Sequence, residues 1–434
     1  MPIQDHLDPD IEFARTVRSL HPPITGISCW SFCMLDFRLT DEQKAFQQLA
    51  RDFAQKEIAP AALLLDQKPT WEERVPTDLL VKGSQLGFRT FALSEENGGL
   101  GAADHLTSCL VAEELGAGDI GTAYYFMLTA RRARDWFDLR ASEEQKEYFL
   151  PKFLNDDMYH FTVAAHEPDT DLAFDYLVET PPTARFRTTA VEQPDGSWLI
   201  NGAKNYQTIG YTAKLLLVLA HTENGPRGFL VEGDSQGLVR HPMSKMGRRV
   251  GDNAEIFFDN VRVPKGRILP PGEPGRHDVG TVGTIAAMSL GLGRATIEET
   301  LKFVQERKTG GKTLINHQAT GMALADMATM LEAARLLVWK AAWAKDHPEA
   351  VENGSDPRLL ELMAAMNVGE AVHKIIVKAM ELFGGAGVIS GMPIEKYARD
   401  SFVQLHVSFP TTNRLRIAES LIGFDRAVPT LMPL

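Results

Sequence analysis

Hydrophobic and polar positions divide the chain into three stretches of different period. From residue 35 the apolar positions recur at helical spacing. Thr40 and Gln43 form a capping-box pair, and Phe46, Leu49, Ala50, Phe53 and Ile58 then fall on one face before Pro60, which predicts an amphipathic helix. A second helix begins near Thr77. The segment NGGLGAAD (97–104) interrupts the pattern, helical spacing resumes from Leu106 to Leu115, and Ser142-Glu143-Glu144-Gln145 opens the last helix of the region.

From Tyr159 the period shortens to that of strands. FTVAAH, ARFRTTAV, SWLING, KLLLVLAH, RGFLVEG, GLVRH and AEIFFDNVRV are short runs rich in β-branched and aromatic residues, separated by turn signals such as Pro-Asp-Gly. With no helices between them, they predict an antiparallel sheet. Beyond about Val279 the pattern is helical again and the helices are long: Gly280–Arg307, Thr313–Asp346 and Pro357–Phe383, the last with Pro357 at its first position and Gly384 just past its end. The expected class is α+β. A leader (1–34) without a structural reading precedes an N-terminal α-helical domain (35–158), a middle antiparallel β-sandwich or barrel domain (159–270) and a C-terminal four-helix bundle (278–425).

The composition, 44% hydrophobic and 24% charged over 434 residues, is that of a globular protein with a large core. A net charge of −12 argues against a nucleic-acid or anionic-membrane partner, although local basic patches remain open. Cys29, Cys33 and Cys109 are too few for a disulfide framework, no Cys/His grouping has zinc spacing, and no run approaches the ~20 apolar residues of a membrane span. The leader lacks a basic start and an apolar core, so an intracellular compartment is expected, whether mitochondrial, peroxisomal or cytoplasmic.

No single motif decides a function. Gly384-Gly385-Ala386-Gly387 reads either as a phosphate cradle or as a glycine-rich helix end, and a dinucleotide fingerprint is disfavoured because a helix rather than a strand precedes it. NGAKNYQT (201–208) offers an aromatic ring and a hydroxyl two residues apart, and ERKTGGK (306–312) closes a helix with basic residues that suit its dipole.

Taken in order, however, LDFRLTDEQKAFQQLARDFAQKEIAP, SEEQKEYFLPKF, NGAKNYQT, KMGRRVGDNAEIFFDNVRVPKGRIL, LGLGRATIEETLKFVQERKTGGKTLINHQ and PIEKYARD resemble the acyl-CoA dehydrogenase family of flavoproteins, co-linearly over about nine tenths of the chain. The resemblance implies FAD between the β domain and the C-terminal helices of a homodimer or homotetramer. It implies that Ala165, His166, Tyr206 and Thr208 lie beside the flavin ring. Arg307, Thr309, Gln318, Glu381, Gly384 and Gly385 would meet the FAD of a neighbouring subunit, and Thr411 and Asn413 would close over the cofactor. Flavin needs a stacking surface, donors for its ring and positive charge or amide dipoles for two phosphates, and these residue types supply them.

The implied reaction places an α,β double bond in an acyl thioester, with a specialised biosynthetic pathway as one setting for it, and with electrons passing to an electron-transfer flavoprotein or O2. It needs a general base, and such a base is worth about 10² to 10⁴ in rate. The family's Glu-Gly pair is replaced by HVSFPTTNRLR, which sets Phe409 or Ser408 in the glutamate slot. A second location used in the family is held by Thr281. Asp278, one helical turn earlier, is the candidate base, with His406 as another. Ala254 stands where the family often has a CoA-contacting arginine. The alternatives are a flavin-dependent oxidase or monooxygenase, and an inactive flavoprotein.

Overall fold

A computed structural model describes residues 38–168, 185–269, 280–350 and 357–422. The leader with Cys29 and Cys33, and Asp278, lie outside the described residues.

The first helix, α1 (Asp41–Phe53), starts at the expected capping box: Gln43 N–H donates to Thr40 Oγ1 and Thr40 N–H to the Gln43 side chain. It does not stop at Pro60. A π turn (Ala54–Ile58) widens the helix just ahead of the residue that lacks an N–H, and α2 (Ala59–Asp66) continues with Pro60 in its first turn. After α3 (Trp71–Arg74) and α4 (Thr77–Gln85) come α5 (His105–Gly118) and α6 (Ile120–Ala133), both capped by aspartates, and then α7 (Glu143–Asn155) with the Ser142/Gln145 capping box.

The middle region forms one seven-stranded sheet from β1 (Phe161–Ala164), β2 (Thr189–Glu192), β3 (Trp198–Thr208), β4 (Leu215–Thr222), β5 (Gly225–Glu232), β6 (Leu238–Pro242) and β7 (Asn253–Val263). The sheet is mixed rather than wholly antiparallel: β1 pairs in parallel with β4 over Phe161–Ala164 against Leu215–Val218, and Thr189 of β2 bridges β4 in parallel. Apolar alternation reports which face of a strand is buried and carries no information on pairing direction. Trp198, Ile200, Val218, Phe229, Ile256 and Val261 fill this sheet's core.

The C-terminal helices are α8 (Gly280–Glu306), α9 (Gln318–Asp346), α10 (Pro357–Phe383), α11 (Pro393–Val407) and α12 (Pro410–Ile422). The expected helix start at Thr313 is corrected to Gln318. Lys308–Thr309 (β8) and Lys312–Thr313 (β9) instead pair as a hairpin whose two-residue turn is Gly310-Gly311, both at positive φ.

One apolar core runs through both helical regions, joining Val111 and Leu115 of α5 to Met288 and Leu292 of α8 and to Val368 and Ile375 of α10. Small residues allow this contact. A Cβ on Gly116 or Gly291 would sit 2.4 Å from Met288 O or 2.1 Å from Glu113 O. Charge also ties the helices together: Arg51 of α1 donates to Glu114 at 2.8 Å and Arg335 of α9 to Glu113 at 2.9 Å, while Asp346 at the end of α9 caps the N-terminus of α5 through His105 and Leu106 N–H.

Candidate active site

The residues expected beside a flavin come together at one end of the sheet. Between Lys204 and Gln207 the register of β3 against β7 shifts, and Tyr206 takes a left-handed backbone (φ +58°). This bulge turns the ring outward, where it is 66% exposed. Beyond β1, Ala165 and His166 are clamped to the same bulge. His166 O accepts from Asn205 N–H at 3.0 Å and from the Gln207 side chain, and Ala165 O accepts from Lys204 Nζ at 3.2 Å.

Beneath this platform lies a buried ion pair. Glu167 accepts from Lys204 Nζ at 2.7 Å and from the backbone N–H groups of Arg187 and Thr188. Burial pushes Lys204 down to about 8 against the pull of Glu167, and its ammonium also lies over the Phe186 ring.

Thr208 is fixed from both sides. Its carbonyl accepts from Thr162 Oγ1 at 2.7 Å, and its hydroxyl oxygen accepts from Asn253 Nδ2 at 3.3 Å. The Asn253 amide also donates to Tyr206 O, and its oxygen accepts from Lys245 Nζ at 3.0 Å, which sets the amide's orientation. Burial, assisted by the nearby Arg248 charge, lowers Lys245 to about 7. With its oxygen already accepting, the Thr208 hydroxyl hydrogen remains available to an acceptor outside the chain.

A second group gathers at the far end of the helical bundle. Phe303 in the last turn of α8 stacks on Phe383 in the last turn of α10 with ring centroids 4.0 Å apart, which brings Arg307 and Thr309 to the same end as Glu381, Gly384 and Gly385. The hairpin there is pinned by Leu314 N–H to Arg307 O and by His317 Nε2 to Thr309 O, and Gln318 opens α9 beside it. All six residues are exposed. Gly384 has φ +58°, and a Cβ on either Gly384 or Gly385 would meet nothing within 4 Å, so the backbone there is an open cradle.

The third group lies at the α11–α12 junction. Thr411 is exposed, whereas Asn413 is buried with its amide donating to Ser408 O. Phe409 has φ +45°, and Ser408 is buried, its hydroxyl bonded to Leu405 O. A Cβ on Gly369 would lie 2.2 Å from Ser408 Oγ, so the slot expected to hold a base is packed tightly against α10. His406 is exposed. About three turns back along α11, Lys396 bonds both Asp119 and Asp400. Although burial opposes its charge, the two carboxylates hold it above the usual lysine range, while burial keeps Asp400 above its own.

Comparison with known proteins places this arrangement. Models of the acyl-CoA dehydrogenase N-terminal, middle and C-terminal domains match residues 40–157, 181–261 and 283–405. The mitochondrial short-chain specific acyl-CoA dehydrogenase of Rattus norvegicus is 30% identical over 404 residues, 90% of this chain and 92% of that protein. This chain belongs to the acyl-CoA dehydrogenase family. A probable acyl-CoA dehydrogenase of Mycobacterium tuberculosis is 29% identical over 401 residues, 89% of this chain and 97% of its own. Butyryl-CoA dehydrogenase from Megasphaera elsdenii has the same fold with a TM-score of 0.78, at 26% identity, covering 89% of this chain and all of that one. As a member of the family the chain is a flavoprotein oxidoreductase of the acyl-CoA dehydrogenase type.

Several elements of the site escaped sequence reasoning. Lys204 and Lys245 carry no local signal in the sequence, and only the fold shows that the first is buried and the second half-buried among polar partners. Asn253 follows Gly251-Asp252 in the sequence, but its hold on Thr208 joins positions 45 residues apart. Among the described residues no helix is long and apolar enough to cross a membrane.

Proposed function

We propose that this chain binds FAD at the β3 bulge and oxidises an acyl thioester by α,β-dehydrogenation. The carrying observation is the Thr208 hydroxyl, locked as an acceptor by Asn253 and left with a hydrogen to donate at the exposed face of Tyr206. The donor set fits the cofactor. Tyr206 and the Ala165–His166 segment offer surface for the ring, and Thr208 offers the hydrogen bond. In a homodimer or homotetramer, the open backbone at Gly384 and Gly385, with Arg307, Thr309 and Gln318, offers amides and charge to the phosphates of a neighbouring subunit's FAD, while Glu381 flanks that cradle. Thr411 and the carbonyl oxygen of the Asn413 side chain stand at the α11–α12 junction to close over the cofactor. Bound FAD supplies the hydride acceptor. The protein's own task is to hold the thioester against that acceptor, exclude water and remove the α proton, and Asp278 is proposed for the last role.

Relatives named for butyryl-CoA and short-chain acyl-CoA substrates support the thioester class. A solved structure from work on the electron transferring flavoprotein of Acidaminococcus fermentans, 27% identical with a TM-score of 0.77, supports such a flavoprotein as electron acceptor. Ser408 and Phe409 in the base slot favour a second reading in which O2 reoxidises the flavin. Anaerobic titration with acyl-CoAs of graded length separates the two: bleaching that is lost in Asp278→Asn supports the dehydrogenase and its base, and no bleaching by any acyl-CoA refutes it. Rapid reoxidation by air supports the second reading.

A further inference from the structure

Arg248 is a buried cation with no counter-ion among the described residues. It sits in the loop between β6 and β7, is 4% exposed, and has a left-handed backbone (φ +50°). Its guanidinium carbon lies 3.7 Å from the ring centroid of Tyr124 on α6, and its Nε has no hydrogen-bond partner. Neighbouring carboxylates are engaged elsewhere. Asp400 holds Lys396 and the backbone N–H of Arg248, Asp119 holds Lys396 and Thr122, and Asp252 holds Tyr125, Thr212 and Tyr211 N–H. No carboxylate among the described residues pairs with the Arg248 guanidinium, and the half-buried Lys245 lies close enough for the Arg248 charge to disfavour its own.

The neighbours of Arg248 share this excess of donors. Tyr124 donates its hydroxyl to Gln404 Oε1 at 3.4 Å, Ser289 donates to the same oxygen at 3.1 Å, and the buried Gln404 Nε2 is left without a partner. Burying a guanidinium nitrogen, Arg248 Nε, and an amide nitrogen, Gln404 Nε2, that both lack an acceptor is costly unless a ligand meets them. An acceptor-only group with two oxygens in a plane, a carboxylate, is the complement of such a set. The place is also right for a substrate. Gln404 precedes Ser408 on α11 by one helical turn, about 6 Å of rise. Arg248 and Asn253, whose amide grips Thr208, are joined by a segment that spans at most about 17 Å.

We infer that Arg248, with Tyr124 and Gln404, binds a carboxylate at the distal end of the acyl group, and that the substrate is the monothioester of a dicarboxylic acid. This rests on the proposed function, since it assumes that the thioester enters beside Thr208.

The test uses the holoenzyme under anaerobic conditions. Unsubstituted acyl-CoAs of about four to eight carbons and their ω-carboxyl counterparts of equal length are titrated, and affinity is read from the perturbation of the flavin spectrum. At one or more lengths the ω-carboxyl thioester is expected to bind roughly tenfold or more tightly than its unsubstituted partner. That ratio should fall towards one in Arg248→Met and be partly retained in Arg248→Lys. Equal affinity at every length, or a preference that survives Arg248→Met, overturns the inference while leaving the thioester reading intact. If no thioester of either set perturbs the flavin, the proposed function fails and takes the inference with it. Should Arg248→Met not fold, the wild-type series decides alone, and a missing preference still refutes the assignment.

Discussion

The ion pair beneath the β3 bulge yields the sharpest stability prediction. Lys204 Nζ and the Glu167 carboxylate are both essentially out of solvent, 2.7 Å apart. A fall from 10.5 to about 8 means that the folded state disfavours the ammonium by about 3 kcal/mol even with Glu167 beside it. Replacing Glu167 by Gln removes the one compensating charge, and breaking a buried pair in this way costs about 3 to 5 kcal/mol. Glu167→Gln should therefore lower the urea midpoint of the apoprotein substantially. Glu167→Gln/Lys204→Met should cost clearly less than the two single changes summed, because the double variant leaves no uncompensated buried charge.

The pH dependence has a definite sign. Between about 8 and 10.5 the unfolded chain carries the Lys204 proton and the folded chain does not, so stability rises with pH across that window. This rise, about 3 kcal/mol, should be missing from Lys204→Met when the two are compared under the same conditions. The outcome that would refute the reasoning is a cost below about 1 kcal/mol for Glu167→Gln, or strictly additive single changes.

Three further outcomes are expected. The apoprotein of Gly385→Leu should keep its melting temperature, since a Cβ there meets nothing within 4 Å, yet should bind FAD at least about tenfold more weakly if the cradle holds phosphate; unchanged affinity would discard that role. Asn253→Leu should shift the visible spectrum of the bound flavin, because Thr208 is no longer held as a donor, and an unaltered spectrum would detach the amide from the site. Cys109 should remain unmodified by a thiol reagent in the native protein, because burial pushes its thiol up and keeps reagent out, and rapid labelling would contradict the packing of α5.

Much of the frame could be read from residue order. Capping boxes at Thr40 and Ser142 mark helix starts by local hydrogen bonds, so they survive folding unchanged. The end of α10 at Phe383 followed by Gly384 was legible for the same reason. Pairing direction was not, because β1 and β4 meet across more than 50 residues and period-2 alternation is identical in either sense. The hairpin at Lys308–Thr313 was masked by its basic residues, which also suit a helix end. The site behaved alike. Tyr206, Thr208 and the two glycines stood out through motif order, whereas Arg248 and Tyr124 could not, since nothing local distinguishes an arginine that will be buried over an aromatic ring from one left in water.

The measurement that bears most directly on the account is the flavin content and assembly state of the purified protein, with Arg307→Ala beside it. The account predicts one FAD per chain, an oligomer, and loss of cofactor from Arg307→Ala as the neighbouring subunit's contact is removed. A monomer that takes up no FAD, or full retention in Arg307→Ala, would contradict it.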